Sequence, residues 1–427
     1  MIKYLWTFGL YFISVLGMSS SAQNVGDTSE KLPLKISENG RYLTDQKGIP
    51  FLIVADVAWQ LPRKLDPADV ALYLDTRKKQ VFNTILIQAL PATPSSTSKQ
   101  NPFSKDGNLA KPNSNYFDHL EKIVIAAKER ELNIGIDAVP PGWYQFLQQQ
   151  GAAACQIYAS YLSKRLSKYD NVFWLIPSNE VVNPKITAAL ADGLKLPNVP
   201  SKLIASLSTQ LKASLVRPAQ DSTTDMDFFI PDSTVSISAY LKHMESQKNL
   251  YLHAKKPFVI SNVELTKDVK DQSLLFRNQI YKGVLNFSAG FCHSSTIKNF
   301  NPSWKQNINK DGSEYVKHFV KTIGKLPWEF MRPNPNINLI AASPKDTEIS
   351  TTFMNNNALV LIYSSTSASF SLNTASLGFS DYSIIWYSPR TGKRWAQNNI
   401  PTQSNYEISP PESQIGWDWV ILIGGKK

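Results

Sequence analysis

The chain is expected to fold as an α/β protein, a (β/α)8 TIM barrel over residues 23–335 followed by a small antiparallel β-sandwich over 336–427. Three features lead there. From Phe51 to Ile323, short apolar runs alternate with helix-like stretches of roughly 10–15 residues, the signature of βαβ units on a parallel sheet. About eight such units in about 300 residues suit a closed barrel better than an open sheet. After Pro333-Asn334-Pro335 the helical period stops, and short β-rich runs punctuated by Asn, Ser and Gly read as a sandwich. Finally, two apolar runs end abruptly in Asn and Glu: Trp174-Leu175-Ile176-Pro177-Ser178-Asn179-Glu180 and Phe258-Val259-Ile260-Ser261-Asn262-Val263-Glu264.

Taken in order, residues 1–22 read as a secretory signal. Lys3 gives a positive start, Leu5 to Leu16 is almost wholly apolar, and Ser19-Ser20-Ser21-Ala22 offers a small-residue cleavage site. The apolar stretch is shorter than the ~20 residues a spanning helix needs. The expected mature protein is secreted or periplasmic, with no membrane segment. A short hairpin-like start precedes strand Phe51–Asp56. Asp66-Pro67 opens a helix, as N-cap and first-turn proline, that runs to about Lys79. Thr84–Gln88 is the next strand. The polar stretch Pro91–Asn115 is long enough to be a binding loop. Helix Tyr116–Arg130, strand Asn133–Asp137, helix Ala152–Lys168 and strand Val172–Ile176 follow. Ile186–Leu194 and Val199–Ser214 read as helices, Phe228–Ile230 and Val235–Ile237 as short strands. Helix Ala239–Ala254, strand Phe258–Ile260, helix Gln272–Leu285, strand Gly290–His293 and helix Asp311–Ile323 complete the alternation. In the C-terminal part, Ala358–Tyr363, Ser369–Leu372, Tyr382–Tyr387 and Trp419–Ile423 are strands, and Pro389-Arg390-Thr391-Gly392-Lys393 is a hairpin turn.

Composition narrows the function. The formal net charge is +11, or +10 once Lys3 leaves with residues 1–22, but Lys and Arg are dispersed, so no nucleic-acid motif stands behind it. Cys155 and Cys292 lack zinc or redox spacing and read as two buried thiols, a single disulfide being the alternative. The five histidines show no metal-ligand spacing, and neither a phosphate-cradling glycine loop nor a G-x-S-x-G elbow occurs. No metal or cofactor is expected. Seventeen Tyr and ten Trp supply rings that stack on sugar faces or simply fill cores.

In a parallel barrel, polar residues just past the strand carboxyl ends face the active site. Two carboxylates delivered there are what glycosidic cleavage requires, one to protonate the leaving oxygen and one to attack or to activate water. Glu180 and Glu264 are the candidates, Glu180 as acid/base and Glu264 as nucleophile. The competing reading makes both of them first-turn helix residues. Asp56 and Asp137, each at a strand end, suit sugar hydroxyls or, alternatively, backbone N–H groups of a loop. Trp59 suits a platform wall, Trp143 a sugar-stacking ring or a plug in the barrel mouth, Asn179 a hydroxyl near the reacting carbon, and His293 either a substrate contact or a structural histidine.

Leu34–Ala58 (LKISENGRYLTDQKGIPFLIVADVA) followed by Trp59, the strand entry Val81-Phe82-Asn83-Thr84-Ile85, and the turn Trp386-Tyr387-Ser388-Pro389-Arg390-Thr391-Gly392 resemble the apiosidase-like glycoside hydrolases, family 140, which carry a C-terminal collagen-binding-type β-domain. The resemblance covers nearly the whole mature chain. It implies removal of apiose from pectic side chains by two carboxylates, with the nucleophile mapping onto Glu264. At the fourth strand the family writes Trp-Ile-Leu-Gly-Gly-Asp. Gap-free alignment sets Asn179 at the Asp position and Glu180 one place later, so the acid/base position is open between them. The expected function is cleavage of a pectic polysaccharide side chain, the expected partner an oligo- or polysaccharide. The alternative is a non-catalytic glycan-binding protein on a decayed barrel; a third reading, resting on the family label, is adhesion through the β-domain.

Overall fold

The computed structural model describes residues 32–426 except 95–100, 105–106, 178–180, 209–225, 232–255, 262–271, 311, 333–336, 346, 355–357 and 380. The chain divides into two compact units, one of Thr28–Lys317 and one containing His318–Lys427. The division falls within the helix Ser313–Thr322, ahead of the change of texture at Pro333.

The first unit is built on an eight-stranded, all-parallel sheet. Its strands are β1 (Ile53–Val57), β2 (Thr84–Gln88), β3 (Asn133–Asp137), β4 (Val172–Pro177), β5 (Ile204–Ser208), β6 (Phe228–Pro231), β7 (Ile260–Ser261) and β8 (Gly290–His293). The order is β7-β8-β1-β2-β3-β4-β5-β6. The two ends of this order, β6 and β7, approach each other, though no ladder pair joins them among the described residues. Strand β8, late in the chain, lies on β1 with His293 opposite Asp56.

The strands are buried on both faces, as the apolar runs require. Alternation sorts their side chains. Ile53, Ala55, Val57, Leu86, Phe173, Leu175, Leu207 and Val259 pack together on the inner face. Ile85, Ile87, Ile134, Ile136, Trp174 and Ile204 pack outward, against the helices. Gly135 keeps the inner face closable, because a Cβ there would lie 2.5 Å from Leu86 and 2.6 Å from Phe173. Leu43, from the small antiparallel sheet before β1, and Leu34, just ahead of that sheet's first strand, add to the inner cluster.

The longer helices described around the sheet are α1 (Pro67–Lys79), α2 (Ser114–Lys128), α3 (Tyr144–Leu166), α4 (Pro184–Leu194) and α5 (Gln272–Leu285). Asp66 caps α1 by accepting from the Asp69 N–H at 2.9 Å, with Pro67 in the first turn, as its sequence predicts. Helix α3 is broken at Gly151, whose φ of 82° is open to glycine. One element differs from expectation. Residues 199–214 were expected to be helical, but Ile204–Ser208 is strand β5, pairing with both β4 and β6. The expected strand 235–237 and helix 239–254 lie outside the described residues.

The second unit contains two antiparallel sheets. One has five strands, in which Trp419–Lys426 lies between Leu359–Ser364 and Asp381–Tyr387, with Ile349–Met354 and Arg394–Ile400 at the edges. The other has three short strands, Ile340–Ala342, Phe370–Leu372 and Tyr406–Ile408. Residues of both sheets share one core containing Val360, Phe370, Ile408, Trp386 and Trp419.

Candidate active site

Because all eight strands are parallel, their carboxyl ends share one rim. Asp137 closes β3 on the inner face, two residues beyond inward-facing Gly135. Its Oδ1 accepts from the Val139 N–H at 3.1 Å and its Oδ2 from Gln88 Nε2 at 3.3 Å. Gln88 closes β2 on the same face, two residues beyond Leu86, and its Oε1 accepts from Gln60 Nε2 at 3.1 Å. Trp59 is half-buried beside Gln60 and packs on the inner apolar cluster. An indole, two amides and a carboxylate therefore gather at one rim: hydrogen-bonding groups beside an apolar face, as a sugar site needs.

Three other candidate residues are placed elsewhere, each for a packing reason. Asp56 falls between inward-facing Ala55 and Val57, so it points outward into the helix layer. There its Oδ1 meets His293 Nδ1 at 2.6 Å, and its Oδ2 accepts from Arg77 Nε at 2.6 Å and from the Tyr73 hydroxyl. Arg77 is itself buried, with Nη1 donating to Gln80 Oε1 at 2.7 Å and the Ile308 carbonyl at 3.2 Å. Burial, then the Asp56 charge, push the Tyr73 hydroxyl well above its ordinary pKa. Asp56 thus binds α1 to β1 and β8 instead of meeting substrate. His293 belongs to the same outward network, its ring between those of Phe82 and Phe276. Trp143 is a core plug: it is 3% exposed, donates Nε1–H to the Pro91 carbonyl at 2.7 Å, and packs edge-on against Phe103 and Phe146. Phe103, from the long 91–115 loop, is buried too, so part of that loop is core.

Glu180, Asn179 and Glu264 lie outside the described residues. The segments bearing them begin directly after β4 and β7, whose last residues are Pro177 and Ser261. Gln60 and Gln88 were not singled out from sequence. Gln88 carries the same signal as Asp137, a polar residue closing an apolar run.

A family model described as "Apiosidase-like, catalytic domain" matches residues 37–329. The chain belongs to the apiosidase-like family. It is thereby a glycoside hydrolase. A second model, "Putative collagen-binding domain of a collagenase", matches residues 334–424. Among solved structures, the chain resembles a glycoside hydrolase family 5 protein from Bacteroides vulgatus ATCC 8482 at 18% identity, with TM-score 0.74 over 92% of this chain and 93% of that one. A structure named "Glycoside hydrolase" matches at 17% identity, with TM-score 0.73 over 93% and 97%. Both likenesses show a shared fold. No curated protein matches the chain.

Proposed function

We propose that this apiosidase-like protein is an exported enzyme that removes terminal sugars, apiose in the first instance, from pectic side chains. Its parallel sheet is a closed (β/α)8 barrel. Glu180 protonates the glycosidic oxygen, and Glu264 attacks the anomeric carbon or activates the water that does. The reading rests on one observation: Gln88, Asp137 and Trp59 share the rim at which β4 and β7 hand over to the segments of Glu180 and Glu264. Export rests on residues 1–22, and no described helix is long and apolar enough to cross a membrane.

Asn179 and Glu180 both lie beyond the end of β4 at Pro177, outside the described residues, and the acid/base position is open between them. Kinetics on two substrates separates them. Glu264→Gln is expected to abolish sugar release from apiose-capped pectic oligosaccharides while the protein stays folded. Glu180→Gln is expected to lose about 10²–10⁴-fold on those oligosaccharides but far less on an activated aryl apioside, whose leaving group needs little protonation. Equal losses on both would make Glu180 structural, and Asn179, or a carboxylate elsewhere on the rim, would become the position to test. A wild-type protein that binds such glycans but releases no sugar would be the glycan-binding alternative.

A further inference from the structure

The three polar groups at the rim have a direction. An amide presents O and N in nearly the same shape, so which end faces which neighbour is set by what the neighbour accepts or donates. The Asp137 carboxylate only accepts, and one of its oxygens already takes the Val139 N–H at 3.1 Å. Gln88 must therefore turn Nε2 toward Asp137, at 3.3 Å, and Oε1 away. That oxygen in turn requires a donor, and Gln60 Nε2 meets it at 3.1 Å. Gln60 is left presenting Oε1 onward, and no donor meets that oxygen among the described residues. Gln60 is half-buried, anchored by its own N–H to the Lys298 carbonyl at 3.4 Å, and adjoins the half-buried Trp59 ring.

We propose that Gln60 Oε1 is a specificity-determining acceptor for a hydroxyl of a neutral sugar, its polarity fixed by Asp137 through Gln88. The proposal rests on the reading of this rim as the glycosidase pocket. A sugar hydroxyl can donate to Oε1 while a C–H face lies on Trp59. A uronate that presents its carboxylate at this point has no proton to donate to Oε1, so the relay selects a hydroxyl over a carboxylate there, and with it a neutral residue over an acidic one. Gln60 touches the sugar; Gln88 and Asp137 are positioning residues.

The test uses the full-length protein with ¹⁵N-labelled glutamine side chains, titrated separately with apiose and with galacturonate. Each is taken to about 100 mM, two decades above a weak millimolar Kd. The Gln60 amide pair, identified by its loss in Gln60→Ala, is expected to shift with apiose and not with galacturonate. Asp137→Asn, which lets the amides reverse, and Gln88→Met, which interrupts the relay without touching either end, should each weaken that response about fivefold to tenfold, the size of one lost hydrogen bond. On a cleaved apioside, Gln60→Ala should raise KM by a similar factor with kcat within about twofold. A Gln60 pair that ignores apiose, responds equally to both sugars, or is dispensable for KM overturns the proposal. Hydrolysis with an unaltered KM in Gln60→Ala overturns it while leaving the hydrolase reading intact. A Gln60 pair that selects apiose in a protein cleaving no glycoside removes the hydrolase reading and leaves the acceptor standing.

Discussion

Both oxygens of the Asp56 carboxylate are taken inside the protein, one by His293 and the other by Tyr73 and Arg77. The Arg77 guanidinium is fully buried, so removing its partner leaves a desolvated charge. Asp56→Ala is expected to cost about 3–5 kcal/mol, read as a lowered urea midpoint with an unchanged slope. An unmoved midpoint would deny the network its role in holding α1 on the sheet. Asp137, by contrast, closes β3 on the inner face. Asp56 and Asp137 looked alike in sequence, each an acid ending an apolar run. What separates them is which parity of the strand faces inward, and a strand apolar on both sides does not display that parity. Trp143 was ambiguous for a related reason: a tryptophan after Pro-Pro-Gly fits a sugar platform and a core plug equally, until its N–H is seen to reach Pro91.

Helices α2 and α3 are joined by Glu121, which accepts from Arg165 Nε at 2.9 Å and the Tyr169 hydroxyl at 2.8 Å and pairs with Lys168 at 2.8 Å. Burial pushes this carboxyl upward, but hydrogen bonds from Lys168 and Tyr169 and the Arg165 charge outweigh it and hold its pKa below the ordinary value. A lowered folded-state pKa means stability that is present above the unfolded value of about 4.3 and fades as pH falls through the lower folded one. Glu121→Gln should therefore cost about 1 kcal/mol at pH 7, since the site remains partly exposed, and progressively less as the pH falls below the unfolded value of about 4.3. Equal losses above and below that value in denaturant unfolding would show that packing, not charge, carries the tie. At this scale the sequence was legible where local chemistry was strong, as at the Asp66-Pro67 start of α1. It misled at β5, where Ile204, Leu207 and Leu211 fall at helical spacing. The sheet overrides that period by giving β5 a neighbour on each side.

Across the molecule, the two-part organisation and the family were readable from composition, alternation and the Gly-Arg-Tyr-Leu opening with its Asp-Val-Ala-Trp run; the polarity of the rim was not, because it depends on which distant residues meet. Cys155 and Cys292 are buried and free. Burial pushes the Cys155 thiol up to about 12; burial and the Asp56 charge raise that of Cys292 as well. The folded chain is accordingly expected to keep the same Tm with and without reductant and to react with a thiol reagent only after unfolding, then at two sites. A native chain that reacts at once, or whose Tm falls under reductant, would contradict their burial as inert thiols. The seam of β8 against β1 also sets a timetable. Asp56 and His293 are 237 positions apart, so the first strand of the sheet waits for most of the polypeptide before its second neighbour exists. Closing so large a span comes late and favours slow folding. A nascent chain that stalls before His293 holds β1 with an open edge, the state in which such sequences associate with one another instead of with themselves.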